Sequence, residues 1–308
     1  MDLEIFAKSD VGNSRALNED AFGVSEKKGL IVVCDGMGGH NAGAHASRLA
    51  VRTVFEMCQR LGEEEIEQIT SDVKGLEDYG CARLIAAVRL ANQRIFQKSL
   101  ERPEFRGMGT TLTAIEIRKN LALIVHIGDS RLYRFRHQKL ERLTEDHTWV
   151  NELILDHEID PREAEKFEKR NVITRAVGSE SNIKIDLRIE PIESGDLFLL
   201  CTDGLTKALT DNDIQRVVSF NKKNLKHTVN HLIDNANMKD GSDNITVALM
   251  YIKSLEQADI HFHPISLTIK AEEHQITNLE NKILKKTRVK HRLSGQIIDF
   301  FKRLLKIG

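Results

Sequence analysis

The sequence predicts a mixed α+β domain built on antiparallel sheets, and three observations lead there. Short apolar runs that read as buried strands alternate along the chain with longer stretches of helical apolar spacing. Several strand pairs are joined by turns too short for a helical crossover, as at Asp129 to Arg131 and Arg136 to Lys139, which favours antiparallel pairing over a doubly wound parallel sheet. Only four prolines occur among 308 residues, at Pro103, Pro161, Pro191 and Pro264, and no Pro-rich linker, repeat or low-complexity segment divides the chain.

The elements follow in order. Residues 3–8 read as a strand, and Glu19-Asp20 leads into a further apolar stretch. The run LIVVC at 30–34 is apolar throughout, as a strand covered on both faces requires. Residues 42–60 and 80–100 are rich in Ala, Leu and Arg, with apolar positions three and four apart, and read as long helices. Strands are expected at 111–117, 121–127 (LALIVHI), 131–136, 184–190 and 197–201 (LFLLC). A helix over 210–219 opens at Thr210 with Asp213 three residues on, the pattern of a reciprocal N-terminal cap, and residues 223–238 form another. The strand 245–252 (ITVALMYI) ends the predicted domain near residue 253. Residues 254–281 are polar without a strong period and read as a connector; residues 282–308 form a basic tail.

The formal charge of −1 conceals an asymmetry. Residues 1–281 carry 36 basic and 45 acidic side chains, whereas residues 282–308 carry nine basic and one acidic. In the tail, Ile297, Ile298, Phe300, Phe301, Leu304, Leu305 and Ile307 share one face of a helical pattern, with Lys302, Arg303 and Lys306 opposite. At ~1.5 Å per residue such a helix reaches roughly 20 Å, short of the ~30 Å hydrocarbon core of a bilayer. The tail therefore suits the surface of an anionic membrane, or a partner protein, or the acidic main domain itself. Nucleic acid is not expected, because aromatic residues are poorly interleaved with the basic ones. The start Met1-Asp2-Leu3-Glu4 lacks the basic-then-apolar run of a signal peptide, and no apolar stretch is long enough to span a membrane. Cys34, Cys58, Cys81 and Cys201 show no Cys-x-x-Cys pairing and read as reduced core thiols. The expectation is a cytoplasmic protein, peripheral to the membrane through residues 282–308.

The aspartates are placed informatively. Asp35 follows LIVVC and precedes Gly36, Asp129 follows LALIVHIG, Asp203 follows LFLLCT and precedes Gly204, and Asp243 stands before the strand beginning at Ile245. Each alone is a common turn signal. Together, strands of one sheet system deliver their ends to a common edge, where convergent carboxylates repel and resist joint ionisation. A hard divalent cation removes that conflict, and an all-oxygen donor set suits Mg²⁺ or Mn²⁺. Gly36, lacking a Cβ, leaves room for an ion to approach its carbonyl. Enough carboxylates are present for two ions that together activate water.

The ordered segments SDVGNSRALNEDAF (9–22), VVCDGMGGH (32–40), GMGTTLTA (107–114), HIGDSRLYRF (126–135), LTEDHTWV (143–150), NVITRAVG (171–178), CTDGL (201–205) and GSDNITV (241–247) carry a family likeness. In sequence and order they resemble the metal-dependent protein phosphatases of the PP2C (PPM) family in their bacterial form, over residues 1 to about 253. The resemblance implies a four-layer α-β-β-α sandwich of two antiparallel sheets flanked by helices. It implies hydrolysis of phosphoserine and phosphothreonine in protein substrates of a serine/threonine kinase, by attack of a water bridging two Mn²⁺ or Mg²⁺ ions, without a covalent intermediate. By motif position Asp35 bridges the ions, Gly36 offers its carbonyl, and Asp203 and Asp243 complete the site. Glu19 matches the acidic residue that approaches one ion through water, Asp20 its neighbour, and Asp129 the carboxylate that with Asp203 holds a weaker third ion. Arg15 matches the phosphate-binding arginine, and residues 145–180 include the mobile flap.

One departure concerns the leaving group. Many eukaryotic members carry His directly after the Asp-Gly of the second motif; here that place is Met37, and the general acid stays unassigned. His40 lies three residues on, while His126, His137 and His147 read as core, turn or flap residues. Two alternatives stay open on the sequence: a non-catalytic binding module of the same fold, disfavoured by the retained carboxylates, and another two-metal phosphoesterase such as a nuclease, disfavoured by the acidic main domain.

Overall fold

The computed structural model describes residues 1–39, 41–60, 81–157, 159–160, 172–255 and 263–270. The basic tail 282–308, His40 and the middle of the expected flap lie outside the described residues.

The strands are β1 (Asp2–Asp10), β2 (Asp20–Ser25), β3 (Leu30–Met37), β4 (Gly109–Thr110), β5 (Leu112–Arg118), β6 (Leu121–Ile127), β7 (Arg131–Arg136), β8 (Lys139–Arg142), β9 (Lys184–Pro191), β10 (Leu197–Cys201), β11 (Ile245–Ser254) and β12 (Ile265–Lys270). The helices are α1 (Ala42–Arg60), α2 (Ala82–Glu101), α3 (Trp149–Leu155), α4 (Asp203–Ala208), α5 (Asp211–Asn221) and α6 (Leu225–Lys239). Among the described residues, one sheet has the order β1-β11-β10-β7-β8 and the other β12-β9-β6-β5-β3-β2, with β4 paired to β3. Every pairing is antiparallel.

Among the described residues, three hydrophobic cores separate four layers. Alternate residues of the β3–β5–β6–β9 sheet, such as Val32, Ala114, Leu123 and Leu187, pack with Leu49, Val54, Leu84 and Val88 of α1 and α2. The opposite faces of the two sheets meet through Ile31, Val33, Ile115, Ile124, Phe198, Leu200 and Met250. Outside the other sheet, Leu199, Val247 and Leu249 pack against Leu205, Ile214, Val218, Leu232 and Ile233 of α4, α5 and α6. The expected α-β-β-α sandwich is the observed fold. It explains why the central strands read as unbroken apolar runs: both faces of each are covered.

α5 begins where the sequence placed it, with Thr210 accepting from the Asp213 amide and Asp213 returning the bond to the Thr210 amide. Two expectations change. The turn at Asp129 to Arg131 is not a hairpin: β6 pairs with β5 and β9, β7 pairs with β10 and β8, and Gly128-Asp129-Ser130 carries the chain from one sheet to the other. Gly128 takes φ +107° at this crossover, where a Cβ would meet Thr111 at 2.6 Å. The segment expected as a polar connector over 254–281 is in part built into the fold, since all six residues of β12 pair with β9, from Lys184 to Ile189. Its six residues alternate Ile, Ser, Leu, Thr, Ile, Lys, and Ile265, Leu267 and Ile269 pack on the helix-side core.

The register of β12 predicts an asymmetry on its two faces. Leu267→Asp should cost about 1–2 kcal/mol of apolar burial and lower Tm by roughly 3–6 °C. Ser266→Asp, one residue away on the exposed face, should leave Tm within a degree or so in the same thermal scans. Equal effects from both variants would contradict the pairing.

Candidate metal centre

The carboxylates named from the sequence gather at one end of the sandwich, between the sheets. Asp20 and Asp35 stand opposite each other on β2 and β3 of one sheet. Asp203 opens α4 directly after β10, and Asp243 precedes β11 in the other. Asp129 lies in the crossover between β6 and β7.

Hydroxyls and amides fix the scaffold. The Asp35 amide donates to Thr111 Oγ1 at 2.8 Å, and its carbonyl accepts from the Thr111 amide and Thr110 Oγ1, each at 2.8 Å. The Gly36 amide donates to the Glu19 carbonyl at 3.2 Å. A Cβ on Gly36 would stand 2.1 Å from the Gly43 carbonyl oxygen and 2.6 Å from that of Glu19, so only glycine lets α1 and the 11–19 loop close around this strand end. Across the sheet interface, Thr202 and Thr246 donate their hydroxyls to Asp20 Oδ2 at 2.9 and 2.6 Å. Asn244 ties the loop to the second sheet: its Oδ1 accepts from the Glu19 amide, and its Nδ2 donates to the carbonyls of Val11 and Leu17.

The electrostatics are those of crowded anions. Burial, followed by the charges of Asp20, Asp203, Asp129 and Asp243, pushes Asp35 well above the ordinary carboxylate range. Burial raises Asp20 to about 7 against the opposing Thr246 and Thr202 hydroxyls, with Asp203 and Asp243 adding to the rise. Asp129 is likewise raised to about 7, by burial and then by Asp203 and Asp146. Asp243 goes the other way. Its burial is outweighed by the hydrogen bond and charge of Lys207, with Arg15 assisting, and its carboxyl is held down.

The donor set fits a hard divalent cation. Glu19 Oε1, Asp20 Oδ1, Asp129 Oδ1 and Asp203 Oδ1 are buried without a hydrogen-bond partner, a costly condition that an ion among them relieves. Among the described residues, no three carboxylate, imidazole or thiolate side chains already converge at metal-ligand spacing. Chain cations hold part of the set instead. Lys207 Nζ lies 2.5 Å from Asp203 Oδ2 and 2.8 Å from Asp243 Oδ2, and an Arg15 guanidinium nitrogen lies 2.9 Å from Asp243 Oδ1. Arg15, expected to hold phosphate, thus sits at the rim on Asp243, with half its side chain exposed.

The other candidates separate from this cluster. His126 is buried, facing Thr113 Oγ1 at 2.9 Å through Nδ1 and the Glu145 carbonyl at 2.9 Å through Nε2; burial and the neighbouring His147 lower it to about 3. His147 accepts from the Gly128 amide through Nδ1 and meets Asp186 through Nε2. Arg175 and Thr268 also reach Asp186, so the base of the expected flap, β9 and β12 share one carboxylate. His137 is in the exposed β7–β8 turn, at φ +49°. The four cysteines are buried and free; burial raises Cys201 to about 12 and Cys34 further, which leaves no thiolate nucleophile here. Lys207 and the threonines 110, 111, 202 and 246 were not singled out from the sequence. Lys207 falls four residues after Asp203, the spacing that puts two side chains on one helical face, and that was the available signal.

Comparison with known proteins bears on this arrangement. The family model for protein phosphatase 2C matches residues 12–241. Protein phosphatase PhpP of Streptococcus pneumoniae is 35% identical over 251 residues, covering 80% of this chain and 97% of its own length. The serine/threonine phosphatase PstP/Ppp of Mycobacterium tuberculosis superposes with a TM-score of 0.71 at 33% identity, over 82% of this chain and 99% of that one. A solved catalytic domain of the protein phosphatase PstP, in complex with two manganese ions, superposes with a TM-score of 0.69 at 33% identity, over 81% and 97% of the two chains.

The raised carboxylates set a pH dependence. A carboxyl whose folded value lies above its unfolded one favours the fold below about pH 4, and this contribution is lost as pH rises towards 7. A bound divalent cation reverses the conflict, so Mn²⁺ should raise Tm more at pH 7.5 than at pH 5, relative to chelator at each pH. His126, whose lowered value acts in the opposite sense, affects both samples alike. A Tm increment that is equal at the two pH values, or larger at pH 5, would contradict the reading.

Proposed function

The chain belongs to the protein phosphatase 2C family and is a metal-dependent protein phosphatase, and on that premise we propose that Asp35, Gly36, Asp203 and Asp243 hold its two Mn²⁺ or Mg²⁺ ions. Glu19, Asp20 and Asp129 complete the surroundings: Glu19 beside one ion, Asp20 orienting the pair of sheet ends, and Asp129 with Asp203 toward a weaker third ion. The observation that carries this reading is the crowding of Asp20, Asp129, Asp203 and Asp243 around Asp35 at one end of the sandwich, with oxygens of Glu19, Asp20, Asp129 and Asp203 buried and without partners. Bound there, such ions supply Lewis acidity, which neutralises phosphoryl oxygens and acidifies water near neutral pH.

The chain's own residues do the rest. Thr110 and Thr111 pin the Asp35 backbone, so its carboxylate is presented without reorganisation. Thr202 and Thr246 hold Asp20 across the sheet interface. Arg15, half exposed at the rim beside Asp243, offers a planar fork to two phosphate oxygens. The cysteines lie in the core as thiols, which agrees with hydrolysis that forms no covalent phosphoenzyme. The substrates are phosphoserine and phosphothreonine side chains of proteins. The acidic balance of residues 1–281 disfavours a polyanionic nucleic-acid substrate.

Hydrolysis of an aryl phosphate and of a phosphothreonine peptide, each with Mn²⁺ and with chelator, tests the assignment. Asp35→Asn should reduce kcat by roughly 10³-fold or more on both substrates. Arg15→Ala should lower kcat/KM by about 10- to 100-fold, with Arg15→Lys between it and wild type. Metal-independent turnover, or wild-type rates in Asp35→Asn, would overturn it.

We further propose that the basic tail 282–308 brings the enzyme to an anionic membrane surface, in keeping with its charge and amphipathic pattern. Among the described residues no helix is long and apolar enough to cross a membrane. The full chain should co-sediment with anionic liposomes at low salt and be released at high salt, whereas a 1–281 chain should not bind. Equal binding by both chains would remove the tail from that role.

A further inference from the structure

The two carboxylates at the start of β11 and α4 are already occupied by a cation belonging to the chain. The Lys207 ammonium bridges Asp203 Oδ2 and Asp243 Oδ2 at 2.5 and 2.8 Å. It reaches them because Asp203 and Lys207 are four residues apart on α4, one helical turn. The other oxygen of Asp243 carries Arg15, while the other oxygen of Asp203 is buried and unpartnered. Asp35 carries no ion pair among the described residues.

We propose that Lys207 is a resident counter-cation of the metal centre. Its ammonium holds the Asp203 and Asp243 carboxylates together before metal arrives, and must swing out for a divalent ion to take that side. This rests on the assignment of Asp203 and Asp243 as metal ligands.

Three physical points support it. Two carboxylates within reach of one nitrogen repel, and a single positive charge between them offsets that repulsion. Lysine is suited to a reversible role: a compact charge on a flexible four-carbon stem leaves by side-chain rotation, without moving the backbone that positions Asp203. The Lys207 side chain is 30% exposed, so a path to solvent is open. Competition also has a quantitative consequence: when the binding-competent state is a minor one, apparent affinity falls by the fraction competent. The two halves of the centre are then unequal. The Asp35 side, which pairs with no cation among the described residues, fills at low divalent concentration, and the Asp203–Asp243 side fills only when the ion outcompetes the ammonium. Lys207 is thereby a positioning residue that sets the metal concentration at which the phosphatase is complete.

The test is a Mn²⁺ titration of the full-length, metal-stripped protein at pH 7.5, reading free Mn²⁺ by electron paramagnetic resonance, with Tm of the metal-free protein measured in parallel. All chains in the titration carry Asp129→Asn, which removes the third-ion side, and with Lys207 intact the protein should show a tight and a weak class of site. Lys207→Gln should tighten the weak class about tenfold or more while lowering the metal-free Tm. Lys207→Arg, which keeps the charge, should stay near wild type in both. Unchanged or weakened Mn²⁺ binding in Lys207→Gln would overturn the proposal, and so would tightening without the fall in metal-free Tm, which a charge that merely repels the ion from a distance would give. If metal-free Lys207→Gln does not stay folded, release of Mn²⁺ from the loaded protein into excess chelator decides. Slower release than wild type supports the proposal; equal or faster release overturns it. Asp203→Asn and Asp243→Asn separate the premise from the inference. If they bind Mn²⁺ as wild type does, the ligand assignment has failed. If they lose the weak class while Lys207→Gln changes nothing, only the role of Lys207 has failed.

Discussion

Mutual repulsion among carboxylates is the constraint on which the rest of this molecule turns. Asp20, Asp35, Asp129, Asp203 and Asp243 reach one end of the sandwich from both sheets and from the crossover between them, and the first three are driven toward their neutral forms by burial and then by neighbouring carboxylates, Asp203 among them in each case. A fold that merely needed polar strand ends could pair each with a cation or turn it to water. Here several carboxylate oxygens are instead buried and left without partners. That condition is tolerable in a protein whose working state includes divalent cations and costly in any other.

The surroundings of the cluster serve to keep it in place against that repulsion. Hydroxyls from Thr110, Thr111, Thr202 and Thr246 hold backbone and carboxylate in two sheets, and Asn244 clasps the 11–19 loop to the second sheet. Glycine at position 36 lets three segments close to contact distance where any side chain would collide with backbone. Lys207 and Arg15 add positive charge on the one side that the hydroxyls do not reach. Rigidity and charge compensation are therefore supplied by different residues.

Legibility in the sequence followed the range of the interactions involved. Strands covered on both faces, such as Leu121–Ile127 and Leu197–Cys201, announced themselves as unbroken apolar runs, and the capped helix starting at Asp211 was written in its first four residues. The carboxylates stood out because each follows or precedes such a run. The short alternating strand Ile265–Lys270 looks like connector in the sequence, since six residues of half-apolar pattern carry little signal until β9 supplies an edge. The crossover at Gly128–Ser130 has the sequence of a hairpin, because turn length alone does not say whether the next strand returns to the same sheet. Lys207 stands one helical turn from Asp203, a local signal, but its bridge to Asp243 spans 36 residues, and the threonines act across still longer separations, as from Thr246 to Asp20 across 226, which no local pattern shows.

Anomalous diffraction from crystals grown with Mn²⁺ addresses the central assignment most directly, because it locates each ion independently of activity. The predicted result is two peaks at the strand ends, coordinated by the carboxylates of Asp35, Asp203 and Asp243, with the Lys207 ammonium turned away from Asp203 and Asp243. Density with Mn²⁺ only elsewhere on the surface, or with Lys207 still bridging Asp203 and Asp243 at saturating Mn²⁺, would contradict it.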